Sequence, residues 1–368
     1  MLPYFTEAYG NPGSVTHAFG EQARAAVAEA RGQIAGHIGA SSREIVFTSG
    51  ATESNNLAIK GVAARWKHRG SHLVGLATEH PSVLEPLRKL GRRGFEVTLA
   101  PVDEVGVLDV GRLESLLRPD TVLVSVQAAN HEIGTIQPLA EIGRLCRERG
   151  ILFHCDASQA VGKIPIDVNA AGVDLMSFTA HKIHGPKGIG ALYVRRDDAV
   201  KLESQIDGGG QQGGLRGGTL PTPLIVGFAQ AMHLGLKNPK EEQVQLSTLR
   251  NRLWERIRGE IPDLVLNGPA LSPDPLLRLP GNLNVGFPNI DEQALLLSLP
   301  DVAVSSGSAC ASDIAEPSSV LAALGRDLEN PQANLRFGLG RFTTEAEIDF
   351  AIDRVTKTAR KLRDPAKS

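Results

Sequence analysis

Cysteine, tryptophan, tyrosine and methionine are scarce in this sequence, at three, two, three and three residues among 368. The cysteines, Cys146, Cys155 and Cys310, are odd in number and have no paired spacing. That argues against a disulfide framework and a zinc site, so no resident metal is expected and a reducing cytoplasm is the natural location. Long apolar runs are missing too. Nothing approaches the roughly 20 consecutive apolar residues of a membrane helix, and Met1 to Glu7 lacks the basic-then-apolar pattern of a secretory signal. Nor does one sign of charge dominate. Against 39 Lys and Arg stand 41 Asp and Glu, a net charge of −2, which gives nucleic acid or an anionic membrane no hold.

What remains is the make-up of a globular protein, 42% hydrophobic and 22% charged, in a chain long enough for two domains. From residue 17 to about 235, strand and helix patterns alternate, which predicts an α/β domain with helices packed on a mostly parallel sheet. The expected strands lie at 44–47, 72–76, 96–99, 121–126, 151–155, 174–178 and 191–194. Around Lys237-Asn238-Pro239-Lys240 the composition turns polar. A charged helix over 241–258, strands at 282–287 and 302–304, and helices at 292–299 and 345–362 then predict a smaller α+β domain. The expected division is a large domain over 15–238 and a small one over 239–368, joined by residues 1–14 and carrying Cys310.

In open α/β sheets, ligands bind beyond the carboxyl ends of the strands. The strand ending at Cys155 delivers Asp156 and then Gln159, and the next delivers Thr179-Ala180-His181-Lys182. Pyridoxal phosphate needs this pair, an amine for a Schiff base and a carboxylate to keep the ring nitrogen protonated. Either residue alone reads more simply as surface or turn. Together, at consecutive strand ends, they point to a site.

Thr48-Ser49-Gly50-Ala51-Thr52-Glu53-Ser54 sits between a strand and a helix, where backbone N–H groups and the Thr52 hydroxyl could meet a phosphate, or where Ser and Thr simply cap a helix. His80 could stack on a ring or move protons, and Asn130 could bond a ring substituent, against the plainer roles of structural His and loop-capping Asn. Gly208-Gly209-Gly210-Gln211-Gln212-Gly213 matches G-x-G-x-x-G in letters, but no helical pattern follows it and no acidic residue lies at the required distance. It reads better as part of a tight loop presenting Arg216 and Thr219 to an anion, or as flexible surface. Cys310 lies in Ser305-Ser306-Gly307-Ser308-Ala309-Cys310-Ala311-Ser312, without a large apolar neighbour. Cysteines on such loops are exposed and reactive, whereas Cys146 and Cys155 read as core. Arg336 in an apolar strand is costly unless paired, by a substrate carboxylate or by a structural ion pair.

These fragments together resemble a cysteine desulfurase of the group that supplies iron–sulfur cluster assembly, with the fold of class V aminotransferases, a type I pyridoxal-phosphate fold. The resemblance runs through Phe47 to Asn55, Thr78-Glu79-His80, Asn130 with Glu132-Ile133-Gly134, Asp156-Ala157 with Gln159, His181-Lys182, Gly185 to Gly188, Arg216 with Gly218-Thr219, Ser305 to Cys310, and Arg336-Phe337 with Gly340-Arg341-Phe342. It implies that Lys182 binds the cofactor covalently, Asp156 pairs its ring nitrogen, and His80 stacks on the ring and moves protons. Asn130 and Gln159 would bond its phenolic-oxygen side. Ala51, Thr52, Thr179 and His181 would hold the phosphate, joined by Thr219 from the partner of a homodimer. Arg336, with Asn130, would bind the substrate. Cys310 would take the sulfur of L-cysteine as a persulfide, leaving L-alanine, and could serve as a transient iron–sulfur ligand. The serine-rich loop resembles the long-loop group, which passes sulfur to a scaffold or other acceptor protein.

Three departures stand out. His131 replaces an Asn and Ala180 a Gly, both tolerable. The strand and Ala-Thr-Thr stretch that the family places before the segment matching Tyr9-Gly10-Asn11-Pro12 are absent, so that either Met1 is an internal start, the chain is trimmed, or the pocket lacks a wall. The alternatives are therefore an impaired cofactor-binding homologue, or another class V enzyme such as a selenocysteine lyase or aminotransferase, for which a mobile Cys310 has little use.

Overall fold

The computed structural model describes residues 1–272, 277–306, 318–325 and 332–363. The chain divides into two compact units. The first comprises Met1–Ala100, Asp109–Ala128 and Gln137–Pro239; the second takes Pro101–Leu108, Ala129–Ile136 and the chain from Lys240 onward.

The first unit is built on a seven-stranded sheet of β1 (Ile45–Thr48), β2 (His72–Leu76), β3 (Glu96–Ala100), β4 (Thr121–Ser125), β5 (Leu152–Asp156), β6 (Leu175–Thr179) and β7 (Gly190–Val194), in the order β1-β7-β6-β5-β4-β2-β3. The β2–β3, β2–β4, β4–β5 and β5–β6 pairs are parallel, and β7 is antiparallel to both neighbours. All strands except β7 thus run the same way, and their carboxyl ends share one edge. Six strands are buried at every position, as expected where helices cover both faces; only edge strand β3 is partly exposed.

The helices of this unit are α1 (Pro3–Thr6), α2 (Ala18–His37), α3 (Ala51–Trp66), α4 (Pro81–Gly91), α5 (Val110–Leu116), α6 (Leu139–Glu148) and α7 (Thr222–Gly235). On α3, Leu57, Ile59, Val62 and Trp66 join Leu87 and Leu90 of α4 in one core with Leu73, Leu123, Leu175 and Leu192 of the sheet. In the second unit, α8 (Pro239–Glu260), α9 (Glu292–Leu297), α10 (Ser319–Ala323) and α11 (Glu345–Arg363) accompany an antiparallel sheet of β8 (Val265–Leu266), β9 (Asn282–Pro288) and β10 (Gln332–Gly338). Its core joins Leu253 and Ile257 of α8 to Val285, Phe287, Leu335, Phe337 and Val355.

Four details differ from the sequence reading. Residues 1–14, expected with the small domain, count with the first unit, because Met1 Sδ packs against Gly227 of α7 and Arg24 bonds the Ser14 carbonyl. Residues 129–136, expected in the large domain, count with the second. Glu132 O accepts from Asn282 Nδ2, and Leu279 N–H donates to Gly134 O. Helix α7 follows the glycine loop, after which no helical pattern is expected. Val302–Val304 is no strand: Val304 N–H turns back to Val302 O, and the first ladder contact is the Ser305–Arg336 bridge.

Candidate active site

Asp156 ends β5 and is 6% exposed. A buried carboxylate must be bonded, and this one is. Its Oδ2 accepts from Asn55 Nδ2 at 2.7 Å, and its Oδ1 accepts from the Ser158 N–H at 2.9 Å and hydroxyl at 2.5 Å. Asn55 also donates to Ser82 Oγ at 2.8 Å, which lies 2.8 Å from His80 Nδ1. His80 is the N-cap of α4, its Nδ1 accepting the Ser82 N–H at 3.0 Å ahead of Pro81 at the first helical position. Burial lowers the His80 pKa, and the Lys182 charge adds to this while Asp156 opposes it, so the ring is neutral at pH 7. The sequence gives no role to Asn55, the last residue of the Phe47–Asn55 match, or to Ser82. Their only signal is polarity on the core-facing side of α3 and in the first turn of α4.

Below Asp156 on the same strand, His154 spans Ser125 Oγ at 2.8 Å and Ser177 Oγ at 3.0 Å, and burial pushes its pKa down to about 4. It is a neutral core histidine.

Thr179 ends β6, the parallel neighbour of β5, and the short turn Ala180–Ile183 then exposes His181 and Lys182. The Lys182 charge is felt at His80. Thr179 Oγ1 donates to the Ile189 carbonyl at 3.1 Å, so it accepts from His181 Nδ1 at 3.0 Å. Helix α3 starts beside this pair without a side-chain cap, which leaves first-turn amides of Ala51 and Thr52 and the positive end of the helix dipole for an anion. Gly190 makes the approach fit: a Cβ there would lie 2.7 Å from Gly50 Cα and 2.8 Å from the Phe178 carbonyl oxygen. Gly190→Ala should cost about 1–3 kcal/mol through overpacking, read as a lower denaturation midpoint.

Arg216 departs from expectation. Its guanidinium is committed to Glu53 in the first turn of α3, at 2.8 Å and 3.3 Å, rather than offered to an anion. Burial would raise the Glu53 pKa, but the donors from Arg216 and Ser49 outweigh it and hold it down. Gln212 clasps the open edge of β1, accepting from Phe47 N–H and donating to Phe47 O, both at 2.7 Å. The glycine loop is thereby fastened at two points, and Thr219 beyond it is exposed. Gln159 Oε1 accepts from Lys163 Nζ at 2.8 Å, so its amide nitrogen is the end able to serve a ligand.

Glu79 is fully buried. Its Oε1 accepts from Gln127 N–H at 2.5 Å, and among the described residues its Oε2 has no partner. Burial first, and the Asp156 charge second, raise its pKa well above the usual carboxyl range. The folded state thus holds a proton that the unfolded chain has lost, so this group's contribution to stability falls as pH rises above the unfolded pKa. Glu79→Gln should remove that slope: the variant gains melting temperature relative to wild type at pH 8 but not at pH 4.

The second unit holds the other expected residues. Asn130 Oδ1 accepts from the N–H groups of Glu132 and Ile133 at 2.8 Å and 2.9 Å, which fixes the orientation of its amide. Arg336 Nη1 donates to the His131 carbonyl at 2.9 Å, and its backbone N–H donates to Ser305 O at 2.7 Å. Buried Glu132 has its pKa raised by burial, against the pull of the Ser318 hydroxyl at 2.5 Å and of Arg336. Cys310 lies outside the described residues. Cys146 and Cys155 are buried, and burial pushes the Cys146 thiol up to about 12 and that of Cys155 well above its ordinary value.

An Asp at one strand end, a Lys-bearing turn at the next and an uncapped helix start beside it define an α/β chain of the aminotransferase type. The Aminotransferase class-V family model matches residues 1–350, and the chain belongs to that family. It is 49% identical to the human cysteine desulfurase over 364 residues, 99% of this chain and 79% of that one. It is 50% identical to the cysteine desulfurase IscS of Anaeromyxobacter dehalogenans, covering 99% and 89%. Among solved structures it superposes on a NifS-like protein with a TM-score of 0.90 at 36% identity, covering 98% and 94%. It also superposes on SspA in complex with cysteine with a TM-score of 0.80 at 37% identity, covering 93% and 94%. Among the described residues no helix is long and apolar enough to cross a membrane.

Proposed function

We propose that this chain is a pyridoxal-phosphate-dependent cysteine desulfurase that moves the sulfur of L-cysteine to Cys310 and releases L-alanine. The observation that carries the reading is the bonded Asp156 carboxylate at the end of β5, with Lys182 after the parallel strand β6. Its relatives named cysteine desulfurase support it.

The donor set fits the cofactor. A protonated ring nitrogen calls for a carboxylate partner, and Asp156 is held in place at the end of β5 by three hydrogen bonds. A dianionic phosphate calls for N–H and O–H donors: the uncapped start of α3 at Ala51 and Thr52 supplies them, while Thr179 and His181 would turn their hydrogens toward it from the Ile189 carbonyl and Thr179 Oγ1. When bound, pyridoxal phosphate supplies an electron sink for the substrate's Cα. Lys182 would anchor it and shuttle the Cα proton. His80, neutral and tied through Nδ1, would stack on the ring and pass protons at Nε2. Asn130 and Gln159 would each offer an amide N–H to the phenolic oxygen. Arg336 would hold the substrate carboxylate through its fork, with Asn130 beside it, and Thr219 would serve the phosphate of a second copy in a homodimer.

The Cys310 thiolate would attack the cysteine sulfur; the new S–S bond forms as the substrate C–S bond breaks, and a proton completes alanine. Persulfide sulfur then passes to an acceptor protein, for which an iron–sulfur scaffold is the proposal. Peptide mass spectrometry after exposure to cysteine tests this: one added sulfur on the Cys310 peptide is expected. Added sulfur on Cys146 or Cys155 alone, or none anywhere while alanine accumulates, contradicts it.

A further inference from the structure

Buried Asn55 has no role in the reaction just proposed, yet it joins two of its residues. It sits on the face of α3 that also buries Ala58, Ile59 and Val62, and it is 0% exposed. Both amide hydrogens are used, one on Asp156 Oδ2 at 2.7 Å and one on Ser82 Oγ at 2.8 Å, while among the described residues its Oδ1 has no partner. An amide can be placed either way round from shape alone, so the partners must decide. The reverse placement would set the amide oxygen against the Asp156 carboxylate and forfeit a donor to each neighbour. The orientation is therefore fixed by chemistry, and an unbonded buried oxygen is tolerated to secure it.

The consequences run along the chain. His80 Nδ1 accepts the Ser82 N–H at 3.0 Å and so carries no hydrogen of its own, which makes the Ser82 hydroxyl, 2.8 Å away, the donor to it while Oγ accepts from Asn55. Nδ1 thus receives two donors and carries no proton. Resting on the desulfurase reading, we propose that Asn55 is a positioning residue that fixes the Asp156 carboxylate and, through the Ser82 hydroxyl, adds to the N-cap bond that holds His80 as the Nε2–H tautomer, so that the carboxylate and imidazole facing the cofactor are both braced by one side chain.

Two readouts on the 368-residue chain test this without turnover. The first is the ¹⁵N shift pattern of His80, assigned by difference from His80→Gln, with and without pyridoxal phosphate. The second is the dissociation constant of pyridoxal phosphate by fluorescence titration. Wild type should show the Nε2–H tautomer. Asn55→Leu, or Asn55→Ser should the leucine variant not fold, should show a population of Nδ1–H and bind pyridoxal phosphate about tenfold more weakly, the scale of one lost charge-assisted hydrogen bond. An Nδ1–H or doubly protonated His80 in wild type at pH 7.5 overturns the proposal, as does an Asn55 variant that matches wild type in both readouts. Absent cysteine turnover with these results intact would instead count against the desulfurase reading alone.

Discussion

Lys182→Ala is expected to cut alanine formation from cysteine by a factor of about 10³ or more. Both roles given to this amine, anchoring the cofactor and moving the Cα proton, are lost together, and proton transfer alone contributes about 10²–10⁴. Cofactor binding should weaken without vanishing, because Asp156 with its three donors and the uncapped start of α3 remain. The fold should be indifferent, since Lys182 is exposed on a short turn. Steady-state alanine release, with pyridoxal phosphate content and melting temperature measured alongside, checks each part. A variant retaining a tenth of wild-type turnover would remove Lys182 from the centre of the mechanism.

Cys310→Ser should be as damaging to sulfur transfer and nearly silent elsewhere. A serine hydroxyl is a poor attacker of sulfur, so sulfide release under a reductant should fall by roughly 10³, the order seen when an enzyme loses its nucleophile. Pyridoxal phosphate binding and stability should match wild type. Cys146→Ser and Cys155→Ser provide the contrast. Burial holds both thiols protonated, which makes them unreactive, so these variants should keep their turnover and lose stability instead. Full sulfide release by Cys310→Ser would overturn the assignment of that loop.

Much of the large domain was legible because its physics is local. Six strands buried on both faces read as continuous apolar runs, and Asp156, Thr179 and Lys182 follow strand ends where ligands gather. The sites of misreading share a different cause, long-range partnership. Arg216 looked ready for an anion because nothing in its own loop shows Glu53, 163 positions away. Residues 129–136 interrupt the large-domain sequence, and their bonds to Asn282 and Leu279 count them with the second unit. Val302–Val304 has strand residues but a backbone turn between its ends. Asn55 and Ser82 gave no warning, since a polar side chain on a buried helix face is as consistent with a local cap as with a link to Asp156 101 residues on.

The central claim is tested most directly by supplying the purified chain with pyridoxal phosphate, excess L-cysteine and a thiol reductant, and measuring alanine and sulfide over time. The account predicts equal amounts of the two, rising through many turnovers per chain. Retention of pyridoxal phosphate with no alanine, or a keto acid in place of alanine and sulfide, would contradict it.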